Sequence, residues 1–416
     1  VSELTLTLSQ PAQLGDRARK DYVLSTLEHV PGSVVRGAFA AAWLARNGVS
    51  KPGTPQRKEF LGLFEGGVRF GSLLRDDTEF MSLAVVGHKY DPTDACGDID
   101  YDRAMGDDPP QHCPDCGSPL EQRRGLHGTR PAPTRRTSVA IGESGTAVSG
   151  QLFTRETLQA GQAFRGTIVV GEDLRAILGD LGPVRIGGRR TTHGLAQVGI
   201  RDGAAPPTAE RRPKDDLLIV RLRSPGIFTD QYGRPATHPS AAEFEDVLGV
   251  PARVVKSWTR WEQAGGWHVA SGLPKPQELA VSAGSTFLIR PERTVDDSAL
   301  ANLGARGLGL RRHEGFGDLA PPPKLRPGRI AREAATGELQ KLTDKVAPLT
   351  RIKVRPQAWQ AMLALMTVHA AGDTGATGRL RRLGASHPDA DFRAAMDFFL
   401  GLPLRDAARV PEVLGR

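Results

Sequence analysis

Apolar and polar residues alternate strictly at the start of the chain, with Leu4, Leu6 and Leu8 separated by threonines. A period of two puts the leucines on one face, so a half-buried strand is expected. Pro31-Gly32-Ser33 then marks a turn with an N-cap candidate, and the Ala-rich run from about 34 to 46 reads as a helix stopped by Asn47-Gly48. Residues 60–74 are mixed and apolar. From 88 to about 127 the pattern breaks: Asp, Pro and Gly accumulate, as expected of an insertion between elements rather than of a core segment. Pro131-Ala132-Pro133 closes it, and 137–170 returns to strands.

One stretch of pattern then occurs twice. Residues 164–198 read as a strand (FRGTIVV), a helix (EDLRAILGDL) and a loop rich in Gly and Arg (RIGGRRTTHGLAQV). Residues 286–319 repeat the order with TFLIR, DDSALANLG and GLGLRRHEGFGDL. Aligning Gly194 with Gly315 also pairs Gly188 with Gly309, Arg190 with Arg311 and Ala196 with Gly317. Such a loop lets backbone approach a polyanion while guanidinium groups pair with phosphates, so the repetition predicts a duplicated module that holds a phosphate backbone. Residues 201–214 are polar and Pro-rich, a linker by composition, after which LLIVRLRSPGIF starts a second module with an apolar strand. Pro321-Pro322-Pro323 closes that module. Trp359, Met362, Leu363 and Met366, and later Phe392, Met396, Phe399 and Leu400, follow helical spacing in a tail without evident chemistry.

Composition sharpens this picture. The 416 residues exceed one small domain, and 25% charged against 39% hydrophobic suits a globular chain. The net charge of +8 rests on recurring arginine pairs such as Arg123-Arg124, Arg135-Arg136, Arg189-Arg190 and Arg311-Arg312. A planar guanidinium fork suits phosphate and base stacking, which favours a nucleic-acid partner. No apolar run is long enough to span a membrane, and no signal segment is evident, so a cytoplasmic setting is expected.

All three cysteines, Cys96, Cys113 and Cys116, fall inside the polar insertion. Cys113-Pro114-Asp115-Cys116-Gly117 is a CxxCG knuckle, whose spacing lets two thiolates reach one tetrahedral ion. Cys96 supplies a third. His88, His112 and His127 are the candidates for the fourth place; His112 adjoins Cys113 and would diverge from it, and His88, eight residues before Cys96, is preferred. Four protein ligands leave no open position, so the expected Zn²⁺ is structural.

These residues together resemble the RAMP superfamily of CRISPR-associated proteins. The resemblance rests on Pro31-Gly32-Ser33-Val34-Val35-Arg36-Gly37, similar to the family's PGSxxRG turn, on Arg135-Arg136-Thr137-Ser138-Val139, on the GQLFTRETLQAGQAF stretch and on the loops IGGRRTTHG and GLRRHEGFG. It covers about residues 1–325 and is nearest in form to the large two-module, zinc-containing RAMP subunit of type III-D effector complexes. It implies an α+β fold of two ferredoxin-like (RRM-like) modules, at 1–205 with a zinc-binding insertion at about 86–128 and at 215–325; the helical region expected at 340–416 rests on apolar spacing alone.

The resemblance further implies a subunit of a CRISPR ribonucleoprotein that holds the guide RNA, commonly its 5′ handle. Its partners would be backbone RAMP subunits and the large polymerase-like signalling subunit. RNA contacts carried over by position are Gly187, Gly188, Arg189, Arg190 and His193 in the first loop, and Gly309, Arg311, Arg312, His313, Gly315 and Gly317 in the second. Arg36, Arg135 and Arg136 are further phosphate candidates. In the first loop Leu195-Ala196 stands where Phe316-Gly317 stands in the second, which implies a looser approach to RNA there.

Three functions compete at this level. A non-catalytic RNA-binding subunit fits the duplicated basic loops and the structural zinc. A RAMP endoribonuclease needs a general base, a general acid and a cation; His193 or His313 with Arg190 or Arg311 would serve on a guide precursor, and Asp76, Asp77 or Asp94 on a bound target. A nucleotide-binding enzyme is disfavoured because each helix precedes its glycine loop, the reverse of a dinucleotide site. Trp258, Trp261 and Trp267 are expected to fill the second module's core, with base stacking as the alternative. Glu314 is the one acid in a basic loop and is placed to orient Arg311 or Arg312, or to accept from a base.

Overall fold

The computed structural model describes the chain except for residues 16–22, 67, 90–98, 115, 131–132, 189–190, 204, 269–272, 326–343, 351–355, 403, 408–409 and 415–416. The chain is mixed α+β and divides into two compact units, 1–84 with 123–323, and 85–122 with 324–416. The first unit holds both glycine loops, so the boundary expected near 205–215 does not separate two compact units.

In the first unit Ser2–Leu8 is the central strand of a five-stranded antiparallel sheet. Its neighbours are Leu195–Asp202 on one side and Ala163–Val169 on the other, followed by Arg69–Phe70, while Val184–Arg185 extends the far edge. Taking the four main strands in chain order, the spatial order is 4-1-3-2. The alternation read from the sequence is obeyed: Leu4, Leu6 and Leu8 are buried and the residues between them are not. They pack with Phe39, Trp43, Phe64, Phe70 and Phe164 in one apolar cluster.

The helix Gly32–Asn47 starts two residues earlier than its Ala-rich pattern suggests, with Pro31 at the N-cap position and no side-chain cap. Pro31 instead accepts backbone bonds from Val34 and Val35. Two further helices are Pro55–Phe64, before the second strand, and Glu172–Asp180, after the third.

A second sheet in the same unit runs Glu210–Arg211, Leu218–Arg221, Thr286–Pro291, Ala252–Trp258. Its last three strands in chain order are again 1-3-2, with the helices Ala241–Leu248 and Asp297–Arg306 in the same chain positions as in the first sheet. The fourth strand is reduced to a short pairing: Leu222 bridges Leu319, Arg223 donates to Asp318 and Ala320 to Arg221.

In both sheets the connection from strand two to strand three carries an antiparallel ribbon, which in the first is joined by the short strand Val23–Leu24. It is formed by Pro133–Ile141 with Ala147–Leu158 in the first. In the second it is Trp261–Ala264 with Glu278–Val281, and further out Trp267–His268 with Leu273–Pro274.

The second unit contains a small sheet, Tyr101–Asp102, Val85–His88 and Leu120–Gln122, and a bundle of short helices. Pro356–Ala370, Thr374–Ser386 and Ala390–Leu400 bury Met362, Met366, Leu380, Phe392, Met396 and Phe399 together. Asp373 and Asp389 cap the second and third of these through their carboxylates. Among the described residues no helix is long and apolar enough to cross a membrane.

Candidate nucleic-acid interface and metal centre

Both glycine loops hang on one hydrogen-bond frame. In the first, Ile186 N–H donates to Gly194 O, Gly188 N–H to Gln13 O and Gly194 N–H to Pro11 O. In the second, Leu308 N–H donates to Gly317 O, Leu310 N–H to Ile227 O and Gly317 N–H to Pro225 O. The structural equivalents are therefore Gly187 with Gly309, Gly188 with Leu310 and Gly194 with Gly317.

This shifts the letter alignment, which matched Gly188 to Gly309 and Gly194 to Gly315. It also removes the departure seen in the sequence, because Gly194 itself holds the position of Gly317. The second loop is one residue longer, and its extra length is spent in the 3-10 turn Arg312–Glu314.

The frame glycines face protein, not solvent. Gly187 and Gly309 have φ of 74° and 83°, and a Cβ on them would run into Gln13 O and Ile227 O. Gly194 and Gly317, with φ of 79° and 64°, are pressed against Ile186 O and Leu308 O. Positive φ and close backbone approach require glycine at these four positions whatever else the loops do. Gly188 differs: nothing lies within 4 Å of its Cβ position. Arg189 and Arg190 fall outside the described residues. Thr191 and Thr192 are exposed, and His193 Nδ1 lies 2.8 Å from Thr192 Oγ1.

The second loop is built into the unit's interior. Gly315 has φ of 84°, and its Cβ position is closed by Phe70 O and, at 2.8 Å, by Gly32 Cα. The PGS turn and the second loop are thus packing partners, which is the physical reason for Gly32. Arg311 is the one described non-glycine residue with positive φ, at 56°. Its guanidinium donates to Glu278 at 2.5 Å and to Glu314 at 2.8 Å and lies over the Phe316 ring.

Lys275 closes the same network with two bonds to Glu314, at 2.8 and 2.9 Å. Burial pushes the Glu314 carboxyl up, but hydrogen bonds from Arg311 and Lys275 prevail and hold it down at about 2. The sequence reading of Glu314 as an orienter of Arg311 matches this geometry.

Arg36 donates to Phe64 O at 2.6 Å and to Glu65 at 2.8 Å, closing the C-terminal end of the helix Pro55–Phe64. Burial lowers the His313 pKa, and the nearby Arg36 charge lowers it further, so its imidazole is neutral at neutral pH.

Among the described residues expected to contact RNA, three arginines are exposed or only weakly held. Arg312 reaches Asp246 only at 4.0 Å, and Asp246 is already taken by Arg306 at 2.6 Å. Arg135 is 71% exposed while paired with Glu156. Arg136 is exposed, with no partner among the described residues, and stands opposite Arg155 in the ribbon register.

Sequence reasoning missed the joint beneath the second loop. Arg69, on the second strand of the first sheet, donates to Gly304 O at 3.0 Å and Ala305 O at 2.6 Å. These are carbonyls in the last turn of the helix Asp297–Arg306, where a cation is favoured. Its other nitrogen binds Asp318, and both side chains are buried.

His88, Cys113 and Cys116 come together in the second unit, with their ligand atoms within 4.8 Å of one another. Cys116 Sγ is 3.3 Å from His88 Nε2. The knuckle closes through Gly117 N–H to Cys113 O, with Gly117 at φ 67°, and Cys113 N–H donates to Ser118 O. Cys96 lies outside the described residues. Two thiols and one imidazole at this spacing fit the tetrahedral soft-donor set of zinc. His112 is engaged in a bridge with Pro119, and His127 sits on the strand Leu126–Gly128 of the other unit. Nine acidic residues against two basic ones between 85 and 122 make this segment repellent to phosphate.

No family model matches the chain, and no curated protein matches it. Among solved structures it is similar to a chain of the type III-B Cmr-beta complex bound to cognate target RNA, with a TM-score of 0.40 and 12% identity over 77% of this chain and 99% of that one. It is also similar to a chain of the Csm3-Csm4 subcomplex of the type III-A CRISPR-Cas interference complex, with a TM-score of 0.33 and 12% identity over 72% and 96%. A CRISPR-associated Cas6 protein gives a TM-score of 0.31 and 9% identity over 77% and 99%.

Proposed function

We propose that this chain is a non-catalytic, RAMP-type subunit of a type III CRISPR ribonucleoprotein, resembling the large zinc-containing subunit of type III-D complexes. In this reading two ferredoxin-like modules grip the guide RNA, at its 5′ handle, and seat the neighbouring backbone and signalling subunits. The observation that carries it is the shared loop frame: the same three backbone bonds hang a basic glycine loop after the helix that follows the third strand of each sheet. A duplicated sheet with duplicated basic loops is suited to tracking successive phosphates.

The contacts assigned here are Gly188, Arg189, Arg190 and His193 in the first loop, Arg312 in the second, and Arg135 and Arg136 on the first ribbon. Arg36, Arg311, Gly309, Gly315 and Gly317 support the architecture that presents them. A structural Zn²⁺ held by His88, Cys96, Cys113 and Cys116 would fix the acidic insertion, whose charge suits it to protein neighbours rather than to RNA.

The test is to co-express the chain with its partners and a CRISPR array and to sequence the RNA that co-purifies. Guides with a common 5′ handle are expected with the wild type and should be depleted in an Arg136→Ala/Arg312→Ala variant of unchanged melting temperature. Random RNA, or guides unaffected by the change, would overturn the reading. Cleaved precursor or target that disappears in His313→Ala would move the assignment to an endoribonuclease.

A further inference from the structure

The ribbon of the second sheet carries a surface that the loops do not explain. Of its three tryptophans only Trp258 is buried, at 7% exposure; Trp261 is 43% exposed and Trp267 60%. The expectation that all three fill the core therefore fails for two of them. The face bearing Ala264 and Ala280 packs on Ile227 and Phe316. Trp261 lies on the opposite face, where Gln263 and Leu279 stand across from each other and are exposed. Nearer the ribbon tip, Trp267 pairs in register with Pro274, beside exposed Leu273.

Indole left in water forgoes a large burial gain, so two of the chain's five tryptophans exposed on one ribbon mark a binding surface. The charge next to them in sequence points to the partner. Arg253 and Lys256 are exposed on the strand Ala252–Trp258, and Arg260 is exposed just after it, before the ribbon. None has an acidic partner among the described residues, and Lys256 instead lies over the Trp258 ring at 5.2 Å. Exposed aromatic rings preceded along the chain by uncompensated cations suit single-stranded nucleic acid, which offers a π-face on every base and a charge on every linkage. A protein dock would instead be depleted of lysine at its centre.

We infer that Trp261 and Trp267 stack on unpaired bases of single-stranded RNA, with Arg253, Lys256 and Arg260 meeting its phosphates. The six residue steps from one ring to the other span at most about 20 Å along an extended strand, room for a few nucleotides. This inference rests on the RNA-binding reading above and adds a site remote from both loops in sequence.

The experiment uses the full chain and an end-labelled oligouridylate of about 16 nucleotides. Anisotropy of the label reports binding, and intrinsic tryptophan fluorescence reports stacking. Trp43 and Trp258 are buried and Trp359 is half-buried, so quenching by RNA and protection from iodide that vanish in Trp261→Ala and Trp267→Ala are assigned to those two rings. Trp261→Ala and Trp267→Ala should each weaken binding roughly ten- to a hundredfold, and Trp→Phe at the same positions should restore most of it. Tight binding without quenching, and unchanged in both alanine variants, would overturn this site and leave the guide-binding reading standing. No RNA binding at all would overturn both. Retained RNA affinity with loss of a co-purifying protein in Trp267→Ala would show a protein dock and sink the proposal.

Discussion

The two glycine loops share a frame and differ in what they touch. The first keeps an open glycine, Gly188, and exposed threonines beside it. The second has Leu310 at that place and one extra residue. Its extra turn inserts Gly315 against Gly32 and Phe70 of the first sheet and commits Arg311 to Glu278 and Glu314. The two loops carry the same number of arginines, yet the second is the more structural one. Arginine content predicts a phosphate site only where the guanidinium has no carboxylate of its own.

The deepest cut into this contrast is at Asp318, just beyond the second loop. Removing one partner of a buried ion pair strands the other without solvation. Asp318→Asn or Arg69→Ala should cost about 3–5 kcal/mol, whereas Arg135→Ala, whose pair is exposed, should cost under about 1 kcal/mol. Urea melts of the three variants check this, and equal losses would show that the second loop is no joint. The frame glycines come next. Gly194→Ala and Gly317→Ala should each destabilise by roughly 2–3 kcal/mol, from left-handed strain and backbone collision. Similar losses are expected because the two are true equivalents; Gly315→Ala should in addition loosen the contact with Gly32.

Much of this was legible in the sequence. The alternation of Leu4, Leu6 and Leu8 and the repeated strand-helix-loop order both survive in the structure, because burial and periodicity are local signals. The CxxC spacing accounts for Cys113 next to Cys116, whereas His88, within 4.8 Å of both, is preferred for its spacing to Cys96, which lies outside the described residues. The register of the repeat was misplaced because letters were matched glycine to glycine, while equivalence is set by which carbonyls the loop bonds. The Arg69–Asp318 joint joins residues 249 apart and has no local signal. Trp258 and Trp261 share a strand-like pattern, and only the bend into the ribbon separates the buried indole from the exposed one.

A smaller effect is the pH response of the second loop. The Glu314 carboxyl titrates at about 2 in the folded chain against an ordinary 4.5. A folded pKa below the unfolded one contributes stability that is complete above about pH 5 and fades as pH falls toward 2. Glu314→Gln should cost roughly 2–3 kcal/mol at neutral pH and flatten the acid limb of stability against pH. Melting temperatures from pH 7 down to about 3 read this directly. An acid limb unchanged by the substitution would mean that the Arg311–Glu314–Lys275 network contributes nothing net.

The smallest predicted effect on folding is the one that separates the loops by function. Gly188 has open space where a Cβ would go, and its N–H bond to Gln13 O survives substitution. Gly188→Ala should therefore leave stability within about 0.5 kcal/mol. If the first loop brings its backbone against a phosphate, the added methyl stands between them and guide affinity should drop several-fold at fixed salt. Gly188→Asp, which adds a like charge, should lower it further at an unchanged melting temperature. The equivalent change in the second loop, Leu310→Asp, should do less, because its neighbour Arg311 is already neutralised by Glu278 and Glu314. Filter binding of labelled guide across a salt series measures both. Equal losses at Gly188 and Leu310 would mean that the loops hold RNA alike, and that the ion pairs of the second open when the guide arrives.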